Sequence, residues 1–477
     1  MSFESTAALR ARFAAALSEM YGREVPAYRT LVEVAGEVNT AAAGESTTRL
    51  GGIDRVTAER HGAIRVGTPT ELRQVGEIFR AFGMYPVGFY DLRDTGAVPV
   101  PVVSTAFRPT DPDELEINPF RVFTSMLAVD DERFFSPGVR DRLESFLAAR
   151  TLFGRELLTM AHRATDGGGL SGEDADRFIE LATAAFELSA APTDRAWYAE
   201  LADISAVAAD IGGVASTHIN HLTPRVLDID DLYHRLQSRG IEMIDKIQGP
   251  PRWNGPDVLL RQTSFRALDE PRLFVEPDGT VVPGTTRVRF GEVEQRGIAL
   301  TPLGRQRYAE LMRATDAATA DGTSWQDAGR AVWEASDFPT DEHGLRRLGL
   351  GYFDYRVASG SSDRAIPADV DLETLIGAGI IEATPIVYED FLPRSAAGIF
   401  QSNLVGGGAM AGDTHGTSYG LEWLEATLGC PVHIPEDLYA AQSDRSLNAC
   451  CDTLGLDPAA LRPDHHNHLS LETNNAH

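Results

Sequence analysis

Two histidines in the segment STHINHLTPR, residues 216–225, are the first side chains that could do chemistry. His218 and His221 lie three residues apart, so in a regular strand they point to opposite faces and only one of them faces a site. Because Thr223 and Pro224 indicate that a strand ends near His221, we favour His218 as the inward residue. The alternative is an ordinary turn in which both histidines are polar loop residues.

A second pair lies in the segment HGAIRVGT, which predicts a strand that begins at His61. His61 and Arg65 share one face of that strand, about 13 Å apart at ~3.3 Å per residue. An imidazole can bind a metal, and an inward-facing arginine binds carboxylates through two hydrogen bonds. The pair indicates a metal-assisted reaction on an acidic substrate, although a surface histidine and a surface arginine would give the same pattern.

The alternating segment RFGEVEQRG offers a third ligand. Glu292, Glu294 and Arg296 share one face of the predicted strand, which is typical of a solvated face. If the face turns inward instead, one carboxylate can bind a metal while the other groups orient it. Two histidines and one carboxylate form the facial triad of non-heme Fe(II) enzymes. Spacing alone does not bring these residues together.

The composition excludes other classes of function. The 477 residues carry a formal net charge of −27, and nucleic acids bind basic surfaces, so we expect no nucleic-acid partner. The sequence contains no run of about 18 apolar residues, so it predicts no membrane span. The N-terminal pattern is that of a helix rather than a signal peptide, so we expect a cytoplasmic protein. Three cysteines are too few to indicate a disulfide framework.

Strands and helices alternate from about residue 60 onward. The segment PTELRQVGEIFRAFG predicts a helix with Pro69 in its first turn and Gly83 past its end. Two parts of the chain share a rough order, in which a strand bearing a histidine is followed by a helix and further strands. The first part begins at His61 and the second at His218.

The same patterns divide the chain into three segments. We expect an N-terminal helical segment at residues 1–50 and a catalytic core at residues 51–420, with a helical insert at about 130–210. A C-terminal segment at residues 421–477 ends in a polar tail that we expect to be mobile.

Five blocks of sequence together resemble the 2-oxoadipate dioxygenase/decarboxylase family, namely ERHGAIR, STHINHLTPR, LLRQTSF, RFGEVEQRGIALTP and YEDFLPRSAAGIFQSNL. They occur in the family's order and span about residues 55–405. The resemblance implies an α+β fold similar to the vicinal oxygen chelate enzymes. In that fold an open β-barrel of mixed sheet carries large helical additions.

The resemblance also implies an activity, the Fe(II)-dependent conversion of 2-oxoadipate and O₂ to D-2-hydroxyglutarate and CO₂ in lysine breakdown. Matching the motifs places the Fe(II) ligands on His61, His218 and Glu292, with His61 and Arg65 next to the substrate. We prefer Glu292 to Glu294 because the related hydroxyphenylpyruvate dioxygenases carry their ligand in a pattern like Phe-x-Glu-Val-x-Gln-Arg. The substrate supplies the electrons itself, so no nicotinamide or 2-oxoglutarate cosubstrate is expected.

One departure from the family lies in the last block. The family's Val-Ser pair, which contacts substrate, reads Arg394-Ser395 here. A contact through the backbone would tolerate the change. An Arg394 side chain inside the pocket could instead bind the distal carboxylate or alter the preferred substrate length.

Two other functions stay open at this point. A metal-dependent lyase or isomerase on the same fold would use the same ligands with a redox-inert metal. A non-catalytic sensor of dicarboxylic acids would keep the fold without turnover. Metal identity and O₂ dependence separate these functions from the dioxygenase.

Overall fold

The computed structural model describes residues 3–44, 53–94, 99–319, 324–360, 366, 370–393 and 418–461. The strands in this part of the chain are β1 (Phe3–Ser5), β2 (Arg60–Val66), β3 (Tyr85–Asp91), β4 (Val102–Arg108), β5 (Arg121–Leu127), β6 (Gly169–Ser171), β7 (Thr193–Asp194), β8 (Ile219–Pro224), β9 (Leu260–Phe265), β10 (Glu270–Val275), β11 (Val281–Thr286), β12 (Gly291–Arg296), β13 (Phe353–Val357) and β14 (Ile381–Pro385). The longer helices are α1 (Thr6–Glu24), α2 (Pro26–Ala42), α3 (Ile53–Ala58), α4 (Pro69–Arg80), α5 (Pro112–Ile117), α6 (Pro137–Ala149), α7 (Arg155–Gly167), α8 (Gly172–Ala184), α9 (Arg195–Ile204), α10 (Ala206–Gly212), α11 (Ile229–Ser238), α12 (Pro302–Ala318), α13 (Trp325–Glu334), α14 (Glu342–Arg347), α15 (Leu372–Gly377), α16 (Leu421–Leu428), α17 (Pro435–Leu454) and α18 (Pro458–Leu461).

The largest sheet has five strands in the order β3-β4-β5-β2-β8. Strands β2 and β5 are parallel, whereas β8 runs antiparallel to β2 on its other side. The other described strands form smaller sheets, β12-β9, β11-β10-β7, β1-β6 and β13-β14. The expected α+β class with mixed sheet is confirmed, and the strands described here do not close into a barrel.

One face of the five-stranded sheet is apolar and packs against helices. Ile64 of β2 and Ile219 of β8 lie in the same core as Phe13 and Leu17 of α1. The latter two are four residues apart and therefore lie on one side of their helix. Because side chains alternate along a strand, His61, Ala63 and Arg65 belong to the opposite face of β2.

Helix α4 follows β2, as the sequence predicts. Its cap is the side chain of Thr68, which accepts a hydrogen bond from the backbone of Glu71, while Glu71 bonds back to the cap. Pro69 occupies the first turn, and Gly83 follows the end of the helix at φ +67°. That left-handed conformation favours glycine.

Two compact units make up the chain. The first comprises Met1–Gln248, Arg261–Gln295 and Asp390–Ile434, and it contains the five-stranded sheet with α1, α2 and α4. In the second, β13 and β14 form an antiparallel pair, and α17 contributes Leu447 and Cys451 to a core that also contains Ile381 of β14. The division into three segments expected from the sequence stays a prediction. The tail beyond residue 461 lies outside the described residues.

None of the described helices combines the length and apolar content that crossing a membrane requires.

Candidate metal centre

Three buried side chains on three strands converge on one point. His61 of β2, His221 of β8 and Glu292 of β12 each offer a ligand atom, and these atoms lie within 4.8 Å of one another. The Nε2 atom of His221 is 3.3 Å from one oxygen of Glu292, and the Nε2 atom of His61 is 3.7 Å from the other. Two imidazole nitrogens and a carboxylate are a donor set that suits a divalent transition metal.

The register of β2 and β8 places the two histidines together. His61 pairs with Thr223, and Ala63 pairs with His221, so the histidines are diagonal neighbours on one face. Their ring centroids are 5.3 Å apart and the rings are perpendicular. Burial lowers the pKa of His221 well below its usual value, and His61 and Arg65 lower it further. His221 is therefore neutral near pH 7, the form that binds metals.

A β-bulge at the start of strand β8 changes where the residues before His221 point. Asn220 is an extra residue there, because Ala63 pairs with His221 while the next residue, Ile64, pairs with Ile219. A bulge shifts the alternation of side chains by one position. Residues three apart can then face the same side, which a regular strand forbids.

His218, the histidine favoured from the sequence, is not in this group. It lies just before β8, and its Nε2 atom is 3.4 Å from Asp210 and 3.2 Å from the side-chain nitrogen of Asn220. Burial lowers the pKa of His218 to about 4, so it is neutral near pH 7. His61 and Glu292 are thus grouped with His221 instead of the expected His218, because β8 continues to Pro224 and does not end near His221.

A tyrosine of α1 holds the backbone around the group. The hydroxyl of Tyr21 is 3.0 Å from the carbonyl oxygens of both Asn220 and Phe290, so it links the bulge to the residues before β12. Burial raises the pKa of this phenol far above its usual value, which keeps the proton on the donor.

Glu292 and Glu294 occupy different environments, although both point to the same side of β12. Glu292 faces the two histidines and accepts a hydrogen bond from Gln262 of β9. Glu294 lies behind His61, with one oxygen 2.8 Å from Nδ1 of that ring and the other 3.3 Å from Arg121. The geometry therefore favours Glu292 over Glu294 as the acidic member of the group.

Arg65 lies further along β2, on the same face as His61. Its Nη1 atom donates a 2.5 Å hydrogen bond to Asp210, which also accepts one from Asn220 at 3.0 Å. Burial opposes ionisation of Asp210, but His218 and Arg65 together hold its pKa below the usual value. Arg65 is a fixed cation beside the metal group, as a site for an acid requires.

Aromatic rings enclose the group. Phe391 meets the edge of His61 at a centroid distance of 5.1 Å and contacts Phe123 of β5. Phe290 stacks on His221 at 5.2 Å. All three rings are buried, so they limit the access of water to the histidines.

Several of these neighbours were not predicted from the sequence. Gln262 and Phe391 lie within the blocks LLRQTSF and YEDFLP, which carry the family resemblance and could have suggested them. Asp210 lies in α10, where nothing in the helical pattern separates it from a surface acid. Arg394 and Ser395, expected at the substrate, lie outside the described residues.

Comparisons with known proteins show to which family this chain belongs. The family model described as 2-oxoadipate dioxygenase/decarboxylase matches residues 13–403. A protein of that name from Mycobacterium tuberculosis is 54% identical over 438 residues, which cover 91% of this chain and 96% of the relative. Another from Pseudomonas putida is 42% identical over 467 residues, covering 95% and 98% of the two chains.

A solved structure is similar over almost the whole chain. It is the hydroxyglutarate synthase from Pseudomonas putida in complex with 2-oxoadipate. The match has a TM-score of 0.82 and 39% identity, and it covers 96% of this chain and all of the other.

Proposed function

This chain belongs to the 2-oxoadipate dioxygenase/decarboxylase family, and we propose that it converts 2-oxoadipate and O₂ to D-2-hydroxyglutarate and CO₂ in lysine breakdown. Its metal is Fe(II), held by His61, His221 and Glu292. The observation that carries the proposal is the convergence of these three buried side chains next to a buried arginine. The relatives that bear the family name support the choice of reaction.

Fe(II) bound by two histidines and one carboxylate keeps coordination positions open for a substrate and O₂. The side chains around it orient the ligands. Thr223 lies 3.0 Å from Nδ1 of His221 and fixes that ring, while Gln262 holds the carboxylate of Glu292. Ligands oriented in this way need no rearrangement when the metal binds.

Arg65 binds a carboxylate of the substrate and determines which carbon faces the metal group. A guanidinium carries five N–H donors in a rigid plane. Arg65 can therefore bind a substrate carboxylate while it also donates to Asp210. Ala63 lies between His61 and Arg65 on the strand face, with Phe123 and Phe391 in the same apolar cluster. This apolar stretch fits the methylene groups of the acid, and a fixed pose raises the rate by orientation.

The reaction balances without a further reductant. One 2-oxoadipate and one O₂ give one 2-hydroxyglutarate and one CO₂, and the oxidised carbon comes from the substrate. The chain therefore needs no second organic substrate.

The element order supports a core similar to the vicinal oxygen chelate enzymes. Strand β2 is followed by α4, β3, β4 and β5, and strand β8 is followed by α11, β9, the hairpin β10–β11 and β12. The first strand of each series carries one histidine of the metal group, His61 in one and His221 in the other. We infer that the two series are related halves of one metal-binding core.

Oxygen uptake tests the function. The protein is loaded with Fe(II) without oxygen, then given O₂ and 2-oxoadipate, with 2-oxoglutarate as a comparison acid. We expect equal amounts of O₂ consumed, CO₂ released and 2-hydroxyglutarate formed, and a loss of more than about 100-fold in His221→Ala.

The same assay separates the alternatives. Turnover that needs no O₂ and survives replacement of Fe(II) by Zn(II) would establish the lyase or isomerase instead. Binding of 2-oxoadipate without turnover under any of these conditions would establish the sensor.

A further inference from the structure

Four buried side chains with alternating charges form a row behind His61. Glu294 is 3.3 Å from Nη1 of Arg121, and Nη2 of Arg121 donates a 2.8 Å hydrogen bond to Glu59. Glu59 in turn accepts a 2.8 Å hydrogen bond from Arg225. All four side chains are buried, with 0% exposure.

The strands bring these residues together from four parts of the sequence. Arg121 begins β5 and pairs with His61 of β2, so both side chains lie on the same face. Arg225 follows β8 and forms a β-bridge with Glu294 of β12. Glu59 immediately precedes β2. These four charged side chains thus connect the strands that carry the proposed metal ligands.

The charges of these four side chains cancel. Two carboxylates and two guanidinium groups sum to zero, so Glu294 does not depend on a metal ion for its neutralisation. A buried carboxylate persists only when paired, and here Arg121 is the partner. This pairing fixes the Glu294 side chain beside His61.

Glu294 also determines which nitrogen of His61 faces the metal. A metal-bound imidazole carries its proton on the other nitrogen, and an acceptor there fixes the ring and makes it a stronger ligand. One oxygen of Glu294 lies 2.8 Å from Nδ1, close enough for the carboxylate to accept a hydrogen bond from Nδ1 once a metal holds the ring. Nε2 then points towards Glu292.

We propose that Glu294 is a positioning residue for the metal centre, held in place by Arg121, Glu59 and Arg225. It accepts the Nδ1 proton of His61 and thereby directs Nε2 to the metal. The inference rests on the proposed function only in the choice of His61 as a ligand.

A metal titration tests the inference. Co(II) alone is added to the metal-free protein without O₂ or an organic acid, and the dissociation constant and the visible absorption of bound Co(II) are measured. We expect Glu294→Ala to weaken Co(II) binding by about 10- to 100-fold and to change the absorption, because His61 loses its acceptor. Glu294→Gln keeps an oxygen that can accept the proton and should recover part of the affinity.

The matched control is Asp131→Asn. Asp131 is a buried carboxylate bound by Arg93 and Arg133, so its loss also disturbs a buried charge pair, but it has no contact with the metal group. It should bind Co(II) within about threefold of the wild type. If Glu294→Ala fails to fold, the Co(II) affinity of Glu294→Gln tests the inference alone. This variant should still bind Co(II) more weakly than the wild type.

Two results would overturn the inference. One is wild-type Co(II) affinity in both Glu294 variants, and the other is an equal loss in Asp131→Asn, which would reveal general destabilisation. Neither result depends on turnover. A protein that binds Co(II) as expected but consumes no O₂ would contradict the proposed function and leave the role of Glu294 intact.

Discussion

At the scale of residues, the choice between His218 and His221 shows how one backbone irregularity changes a site. Strand periodicity permits only one histidine of the pair to face inward, and the end of the strand favoured His218. The register of β2 with β8 places His221 on the polar face, and the extra residue Asn220 allows His218 to face the same side. His221 lies at the metal group, and His218 lies at Asp210.

Separate alanine variants should therefore behave differently. His221→Ala removes one of the three proposed ligands, so we expect it to lose bound Fe(II) after anaerobic loading and desalting. His218→Ala should retain nearly one Fe(II) per chain, because its side chain contacts Asp210 rather than Glu292. The measurement is iron content per protein. Retention in His221→Ala together with loss in His218→Ala would restore the choice made from the sequence.

At the scale of elements, Arg150, the residue after α6, forms a clamp between α4 and α10. Arg150 donates to both oxygens of Glu71, at 2.7 Å and 2.8 Å, and also to the carbonyl of Ile211 in α10. Glu71 caps α4 at the same time. The clamp thus connects the start of α4 to the helix that carries Asp210.

Breaking this clamp should cost stability rather than chemistry. Glu71→Ala leaves Arg150 buried without its carboxylate, and the loss of one partner from a buried pair costs about 3–5 kcal/mol of unfolding free energy. Glu144→Ala breaks an exposed pair with Arg140 on one helix and should cost at most about 0.5 kcal/mol. Urea unfolding of both variants measures the difference. Equal losses would contradict the assignment of the clamp.

The elements themselves were the most predictable part of the fold. Strand β2 and helix α4 were found from local signals, namely the segment HGAIRVGT, a proline in the first turn of the helix and Gly83 after its end. The bulge at Asn220 escaped prediction because no residue type there demands one. Tyr21 of α1, far from Asn220 in sequence, donates a hydrogen bond to the Asn220 carbonyl.

At the scale of the whole molecule, the site combines side chains that are far apart in sequence. His61, His221 and Glu292 meet only after three strands pair, and no spacing encodes that meeting. Residue types limited the choice to a few histidines and carboxylates, and the family resemblance reduced it further. The carboxylates that contact the histidines, such as Asp210 and Glu294, depend on packing and could not be assigned from the sequence.

Burial of His218 should make the stability of the metal-free protein depend on pH. Its pKa falls from 6.5 to about 4 on folding. Between these values the unfolded chain binds more protons than the folded one, so the unfolding free energy decreases as the pH falls from 6.5 towards 4. The full decrease from this histidine is about 3 kcal/mol. His218→Gln should therefore show a flatter dependence than the wild type in urea unfolding.

Comparison of variants is needed because the net charge acts in the opposite direction. At pH 7 the chain carries −27 charges, and their mutual repulsion weakens as the pH approaches the isoelectric point near 4.8. That relief stabilises the folded state and can mask the histidine in the wild type alone. Wild type and His218→Gln share this background, so the difference between their slopes isolates His218. His343→Gln, at an exposed histidine, should keep the wild-type slope. Parallel slopes for the wild type and His218→Gln would show that folding does not lower the pKa of His218.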